Sequence, residues 1–452
     1  MTRARLDSLY LLLFGSVVFT VLGLAMENLS QTPMLDFAVV YNPARCLLQH
    51  RDPYNESEVL RVYQAEKENG PFIDPNQHPV TRRFIYLPTV FAFTLPFALL
   101  PWGPAHILWM MLTITSIIFA SFLLWECAAD SAPIVCGLLL AFLLANSEMM
   151  LVLCNSAGIS ISLCIVAVWC FLRGRFAAAG ILCLAFSLAL KPHDSGLVWL
   201  YFLLAGGVYR KRALQTLLAV ALLCLPFVLW VGHIAPHWMR EWRANLLSFS
   251  APGGINDPGL DALRAHGRAG VINLQSALSI FWDNPSFYNP AVYLLCGALL
   301  LVWSLLTLRA RCSPLKSWLA LAFIAAITML FAGHHYYDAK LLLLTVPACA
   351  MLWAEGGPIR WIAFLVTAAG MVFTGDFPLA ILASIANGLH FSTTGFMGKM
   401  LTLALLRPAP LALLAVAIFY LWIYARRACK DSGASLSPRS EGPMPGGQAS
   451  AA

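Results

Sequence analysis

Long apolar runs broken by short basic clusters constrain this chain more than any other feature of its sequence. Of its 452 residues, 60% are hydrophobic and only 11% charged. Ordinary soluble domains carry about 25% charged residues. A bilayer core takes roughly 20 apolar residues per helix. Runs of that kind recur at about 9–26, 86–101, 104–126, 133–147, 149–172, 176–190, 195–209, 213–232, 290–308, 317–333, 339–354, 359–375 and 402–425. The pattern predicts an all-α polytopic membrane protein with about 11–13 membrane helices, built as one integral unit over residues 1–429. The first run is too long for a signal-peptide core and lacks a small-residue cleavage site, so it reads as a retained span. Residues 430–452 are rich in Ser, Gly, Pro and Ala without apolar periodicity, the composition of a disordered tail.

The net charge of +7 does not point to nucleic acid. The basic residues gather between apolar runs, at Arg3/Arg5, Arg173/Arg175, Arg210-Lys211-Arg212, Arg309/Arg311/Lys316 and Arg426/Arg427/Lys430. This is the positive-inside signal. It puts the N-terminus and the tail in the cytoplasm, with the chain in the cell's inner (plasma) membrane. The outer, periplasmic segments are then about 27–85, 233–289, 334–338 and 376–401. Counting crossings back from Arg173 leaves one span too many, so one candidate does not cross. Segment 86–101 is short and carries Pro88, Pro96 and Pro101, which suits a re-entrant or interfacial piece; region 133–172 is the other choice. The cysteines lie mostly inside apolar runs, Cys46 being the one in an outer segment. Neither a disulfide framework nor a metal site follows from them.

Four polar islands interrupt this pattern. Asp36 follows the first span, and Phe37, Val40, Tyr41, Ala44, Leu47 and Leu48 after it make one apolar stripe at helical spacing. That predicts an amphipathic helix lying on the membrane surface. Pro43 fits only near a first turn, so the helix should begin around Val40 to Asn42, with Asp36 in the turn before it. Asp36 could equally cap a helix or mark the water interface. Arg82 and Arg83 sit outside, against the positive-inside bias. They suit phosphate through their planar donor forks, or anchor the chain by snorkelling. Lys191-Pro192-His193-Asp194 lies between two spans, where charges are costly unless paired, hydrated or in use. The set could hold an anionic headgroup or form a simple polar turn. Gly333-His334-His335-Tyr336-Tyr337-Asp338-Ala339-Lys340 is the densest cluster. Adjacent histidines point apart, so hydrogen bonding to a sugar or phosphate is favoured there over zinc. The sequence contains no P-loop, no GxGxxG after a strand and no HExxH.

The order of these pieces resembles glycosyltransferase family 87, polytopic enzymes of the GT-C type. The likeness covers about residues 30–350. It rests on Asp36-Phe37, Tyr41, Ala44, Leu47-Leu48 and Asp52-Pro53-Tyr54, then Phe84-Ile85-Tyr86-Leu87-Pro88, Leu95-Pro96 and Leu100-Pro101. Arg173-Gly174-Arg175, Ala179-Gly180, Lys191-Pro192 and His335-Tyr336-Tyr337-Asp338 follow, with Leu341 to Pro347. Where the family tends to show Gly-Gln-x-x-Asn, this chain has Asn155-Ser156-Ala157-Gly158-Ile159-Ser160.

The resemblance implies a mannosyltransferase-like enzyme of GT-C fold using a polyprenyl-phosphate sugar donor, with Asp36 as general base. A glycan or glycolipid hydroxyl would be the acceptor, and the lipid bilayer would hold the donor's prenyl chain. Arg82, Arg83, Lys191 and His193 are the candidates for the donor phosphate. Tyr41, Tyr54, Tyr86, His335, Tyr336, Tyr337 and Asp338 are candidates for sugar or acceptor contact. No cofactor is evident, and the sequence leaves a divalent metal open. The rival readings are a lipid or solute transporter or flippase, against which the lack of an inverted repeat counts, and an oligosaccharide ligase or polymerase centred on 233–289.

Overall fold

The computed structural model describes residues 2–30, 33–66, 79–266, 270–310, 313–389 and 395–434. Helices dominate throughout, and no strand occurs among the described residues; one isolated bridge joins Val271 to His335.

The long first helix, α1 (Arg3–Leu29), is followed by α2 (Leu35–Leu48), α3 (Glu56–Ala65) and the short α4 (Phe91–Ala98). Then come α5 (Trp102–Ala128), α6 (Pro133–Leu144), the single turn α7 (Met149–Val152), α8 (Ala157–Arg173), α9 (Ala177–Leu190), α10 (Pro192–Leu204) and α11 (Gly207–Ile234). Segment 235–284 carries α12 (Trp238–Phe249), α13 (Leu260–His266) and α14 (Leu274–Leu278). The chain ends through α15 (Pro285–Arg309), α16 (Pro314–Phe331), α17 (Thr345–Glu355), α18 (Gly357–Val372), α19 (Asp376–Leu389), α20 (Gly395–Leu406) and α21 (Ala409–Ala434). The tail expected from 430 falls mostly outside the described residues, and α21 takes in its first five residues, to Ala434.

Local chemistry sets many of these boundaries. Proline occupies the first helical position of α6, α10, α15 and α16, where its missing N–H costs nothing. Asn284 and Ser313 cap α15 and α16 with their side chains. Gly174, at φ 68°, ends α8 in the left-handed region that favours glycine.

Among the described residues seven helices are long and apolar enough to cross a membrane: α1, α5, the α6–α7 stretch, α11, α15, α16 and α21. The pair α18 and α19 adds an eighth only if its 68° bend counts as one broken span. This is fewer than the 11–13 expected. The difference lies in helices such as α8, α9 and α10, which have 17, 14 and 13 residues. At 1.5 Å per residue they reach about 20–25 Å, short of the roughly 30 Å hydrocarbon core.

Of the elements between the first loop and Arg173, α5 and the α6–α7 stretch are long enough to cross, and the 17-residue α8 is not. Segment 86–101 holds only a 3₁₀ turn (Pro88–Val90) and the eight-residue α4, about 12 Å long.

Helix α2 departs from expectation in two respects. It starts at Leu35, not near Val40, with Pro43 inside it. The early start is possible because its first N–H groups find outside partners: Met34 N donates to Val152 O at 2.7 Å and Asp36 N to Leu153 O at 3.1 Å. It is also buried on nearly every side, from Phe37 to Ala44 without a break, rather than laid on a surface with one face down. Phe37 packs against Trp102 and Trp109, at ring separations of 5.2 and 4.9 Å.

Ionic contacts sort the bundle into two ends. Arg5 pairs with Asp130 at 2.5 Å, Arg173 with Glu126 at 3.5 Å, and Arg427 with Glu355. Arg212 donates to Phe171 O at 2.9 Å. A small cavity lined by Tyr201, Thr307, Lys316 and Tyr424 draws the matching ends of α10, α15, α16 and α21 together. The basic clusters of α1, α8, α11 and α21 therefore share one end.

Candidate functional site

At the opposite end, helix breaks deliver polar side chains to one place. Asp36 lies in the first turn of α2, half-buried. Asn155 lies in the turn between α7 and α8, just after Cys154, whose φ of 49° marks a sharp reversal. Trp109 holds that reversal by donating its indole N–H to Cys154 O at 3.0 Å. Lys191 forms the joint between α9 and α10, with Asp194 in the first turn of α10. His334 and Asp338 flank the break after α16.

These residues form one continuous network. Asn155 Nδ2 donates to Asp36 Oδ2 at 2.7 Å, and Asn155 Oδ1 accepts from Ala157 N at 2.8 Å and Lys191 Nζ at 3.2 Å. Lys191 Nζ also donates to Asp338 Oδ1 at 2.6 Å and lies 3.9 Å from Asp194 Oδ2. The Lys191 ammonium sits 5.2 Å from the centre of the Tyr337 ring. Tyr86 closes the near side, its hydroxyl 3.5 Å from Ser156 Oγ.

Burial pushes the Asp36 carboxyl up to about 6, against the lowering pull of the Asn155 hydrogen bond and the Lys191 charge. Burial also opposes the charge on Lys191, but Asp338 and Asp194 outweigh it and hold the amine protonated above its ordinary value.

Beyond Lys191, His193, Asp194, His334 and Asp338 form a second, tighter group. Asp194 and His334 are fully buried, and among the described residues neither carboxylate oxygen of Asp194 nor either ring nitrogen of His334 has a hydrogen-bond partner. The segment after α13 folds over this group: Ile272 N donates to His334 O at 2.9 Å.

The expected site residues divide sharply. Asp36, Lys191, Tyr86, Tyr337 and Asp338 come together, and His193 borders them. Arg82 and Arg83 turn their Nε groups to Glu56, at 3.3 and 3.1 Å, away from the Asp36–Lys191 network. Tyr41 is buried and donates to Leu100 O at 2.8 Å; Tyr54 is buried and donates to Tyr86 O at 2.8 Å. Both tyrosines stitch the first loop rather than line an opening. His335 Nδ1 donates to Gly270 O at 2.6 Å, and its Nε2 faces Asn256 Oδ1 at 2.9 Å. Tyr336 packs against the main apolar core.

Sequence reasoning placed Asp194 and His334 in polar islands without giving either a role of its own, and passed over Asn155 as a site residue. Each is a polar side chain within or beside an apolar run, and that was the available signal. No family model, curated protein or solved structure matches this chain.

Proposed function

We propose that this chain is a membrane glycosyltransferase that moves a sugar, mannose by the resemblance, from a polyprenyl-phosphate donor to a hydroxyl of a glycan or glycolipid acceptor. The observation that carries the reading is the Asp36–Asn155–Lys191 relay: a half-buried carboxylate oriented by an amide whose other end rests on a buried ammonium. Supporting it, the relay lies at the end of the bundle away from the basic clusters, which by the positive-inside rule faces out.

In this reading Asp36 takes the proton of the acceptor hydroxyl as that oxygen attacks the anomeric carbon. The polyprenyl phosphate departs from the opposite face, so the centre inverts. One carboxylate suffices because phosphate leaves as a stabilised anion. A glycosidase needs a second carboxyl to protonate its leaving oxygen; here positive charge does that work. Lys191 supplies the charge, since Arg82 and Arg83 are bound to Glu56. Tyr86 and Tyr337 border the space where the sugar would sit. The apolar helices keep the donor's prenyl chain in lipid.

The test is to incubate the purified full chain in lipid with radiolabelled polyprenyl-phosphate mannose and a glycolipid acceptor. Transfer by the wild type, lost by at least about a hundredfold in Asp36→Asn with insertion intact, supports the reading. Full activity in Asp36→Asn removes it. Movement of donor across the bilayer without transfer would mark a flippase, and transfer only from oligosaccharide-linked lipid would mark a ligase.

A further inference from the structure

The group of His193, Asp194, His334 and Asp338 has the geometry of ligands around one ion. One donor atom from each lies within 4.8 Å of the others. His334 Nδ1 stands 3.4 Å from Asp338 Oδ2 and 3.5 Å from Asp194 Oδ1, and His193 Nε2 stands 3.7 Å from Asp194 Oδ1. These separations are long for good hydrogen bonds. Three of the six donor separations lie close to the edge of a coordination tetrahedron, since ligands about 2.0–2.2 Å from a zinc ion lie about 3.3–3.6 Å apart, and the other pairs fall within 4.8 Å.

The lack of partners is a second, independent observation. Asp194 and His334 are fully buried, with all four of their polar side-chain atoms unsatisfied. A buried carboxylate and imidazole left without partners cost several kcal/mol between them, at about 1–3 kcal/mol or more per group. Among the described residues the counter-charges are loose, Lys191 Nζ standing 3.9 Å from Asp194 and His334 Nδ1 3.4–3.5 Å from the two carboxylates, and a bound cation would satisfy the group. His193 is 42% exposed at its side chain, which leaves the group an entry path.

The surroundings also suit ligands. Asp338 uses its Oδ1 on Lys191 at 2.6 Å, while its Oδ2, facing His334, accepts the His335 backbone N–H at 2.9 Å. Such outer hydrogen bonds fix a ligating carboxylate in place. Two carboxylates against one ammonium leave the pocket net negative before any cation enters.

We propose that His193, Asp194, His334 and Asp338 bind one divalent transition-metal ion, with zinc as the fitting occupant. Two imidazoles and two carboxylates in a tetrahedral arrangement suit zinc, whereas magnesium prefers six oxygens. The site was hidden in the sequence because His334 is followed by His335, and adjacent histidines cannot share an ion. His334 finds its partners instead on α10 and four residues ahead. This inference does not depend on the transfer reading, and its test needs no activity.

The full-length protein in detergent is stripped with a chelator, equilibrated with zinc, passed through gel filtration and assayed for bound metal. We expect about one zinc per chain, and none of a magnesium load retained. His334→Ala and Asp194→Asn should abolish retention. His193→Ala, at a half-exposed ring, should fold normally and weaken zinc binding by about tenfold or more. His237→Ala, exposed and outside the group, should leave it unchanged. Wild-type protein that keeps no zinc overturns the proposal. So does magnesium held in its place, or His193→Ala and His334→Ala binding zinc as tightly as wild type.

Discussion

Asn155 has little freedom to turn its amide. Its oxygen takes two donors, Ala157 N and Lys191 Nζ, so its nitrogen must face Asp36. The Asp36 carboxylate is thereby presented in its ionised, accepting form. With burial pushing Asp36 up to about 6, a base at this position is lost as pH falls. We expect the transfer rate to decline below about pH 6, in proportion to the ionised fraction. Asn155→Leu removes a hydrogen bond that pulls this value down. The acid limb should therefore move to higher pH, by about one to two units given 1.5–3 kcal/mol for a charged hydrogen bond. A pH–rate profile of the two proteins checks both statements, and an unmoved limb would detach Asp36 from the chemistry. Asp36 stood out in the sequence as an acidic residue beside a span at the head of an apolar stripe, a position that suits a cap or an interface charge as well as a base. Asn155 did not, because an uncharged amide in an apolar run carries no signal until its neighbours are known.

At the scale of elements, close approach between helices does what the hydrophobic effect cannot do inside lipid. Helices α1 and α6 meet over glycine. A Cβ on Gly15 would lie 2.5 Å from Ala141 Cα, and one on Gly137 would lie 2.8 Å from Ser8 O. Both obstacles are backbone atoms and cannot give way. Gly137→Leu should force the pair apart and cost at least about 1–3 kcal/mol, read as a lower apparent melting temperature in detergent. Gly103→Leu, where a Cβ meets nothing within 4 Å, is the control that should change little. A different device ties segment 235–284 to the bundle. Arg407 is buried and donates to Pro258 O, Ser276 O, Ser279 Oγ and Gly259 O at 2.5–2.7 Å. Arg407→Met strands several of these acceptors, and at about 1–3 kcal/mol for each group left unpaired it should destabilise more than any exposed arginine variant in the same melting assay. Apolar periodicity located the helices well. It misjudged α2 because pattern alone could not show that carbonyls of 152–153 would satisfy that helix's start, or that aromatic rings from α5 would cover it. Arg407 escaped notice for a related reason: three carbonyls and a hydroxyl some 130 to 150 residues away leave no mark in local sequence.

At the scale of the molecule, the two ends differ in charge and in chemistry. One end gathers Arg5, Arg173, Arg212 and Arg427, each paired with a carboxylate or a carbonyl. The other gathers the broken helices, the Asp36 relay and segment 235–284. The charge rule that set the orientation in the sequence therefore agrees with how the helices assemble, since the clusters it counted come together in space. The relay would then face away from the cytoplasm, on the side where a lipid-linked sugar can meet an acceptor outside the cell. Single cysteines report this directly. Ser57 on α3 and Met239 on α12 are exposed at the relay end, and Arg175 is exposed at the basic end. A membrane-impermeant maleimide applied to intact cells should label Ser57→Cys and Met239→Cys, and should reach Arg175→Cys only after the membrane is opened. Labelling of Arg175→Cys in intact cells, with the other two silent, would put Asp36 on the cytoplasmic side. The acceptor would then have to be made and glycosylated inside the cell, and an outward-facing transferase would be ruled out.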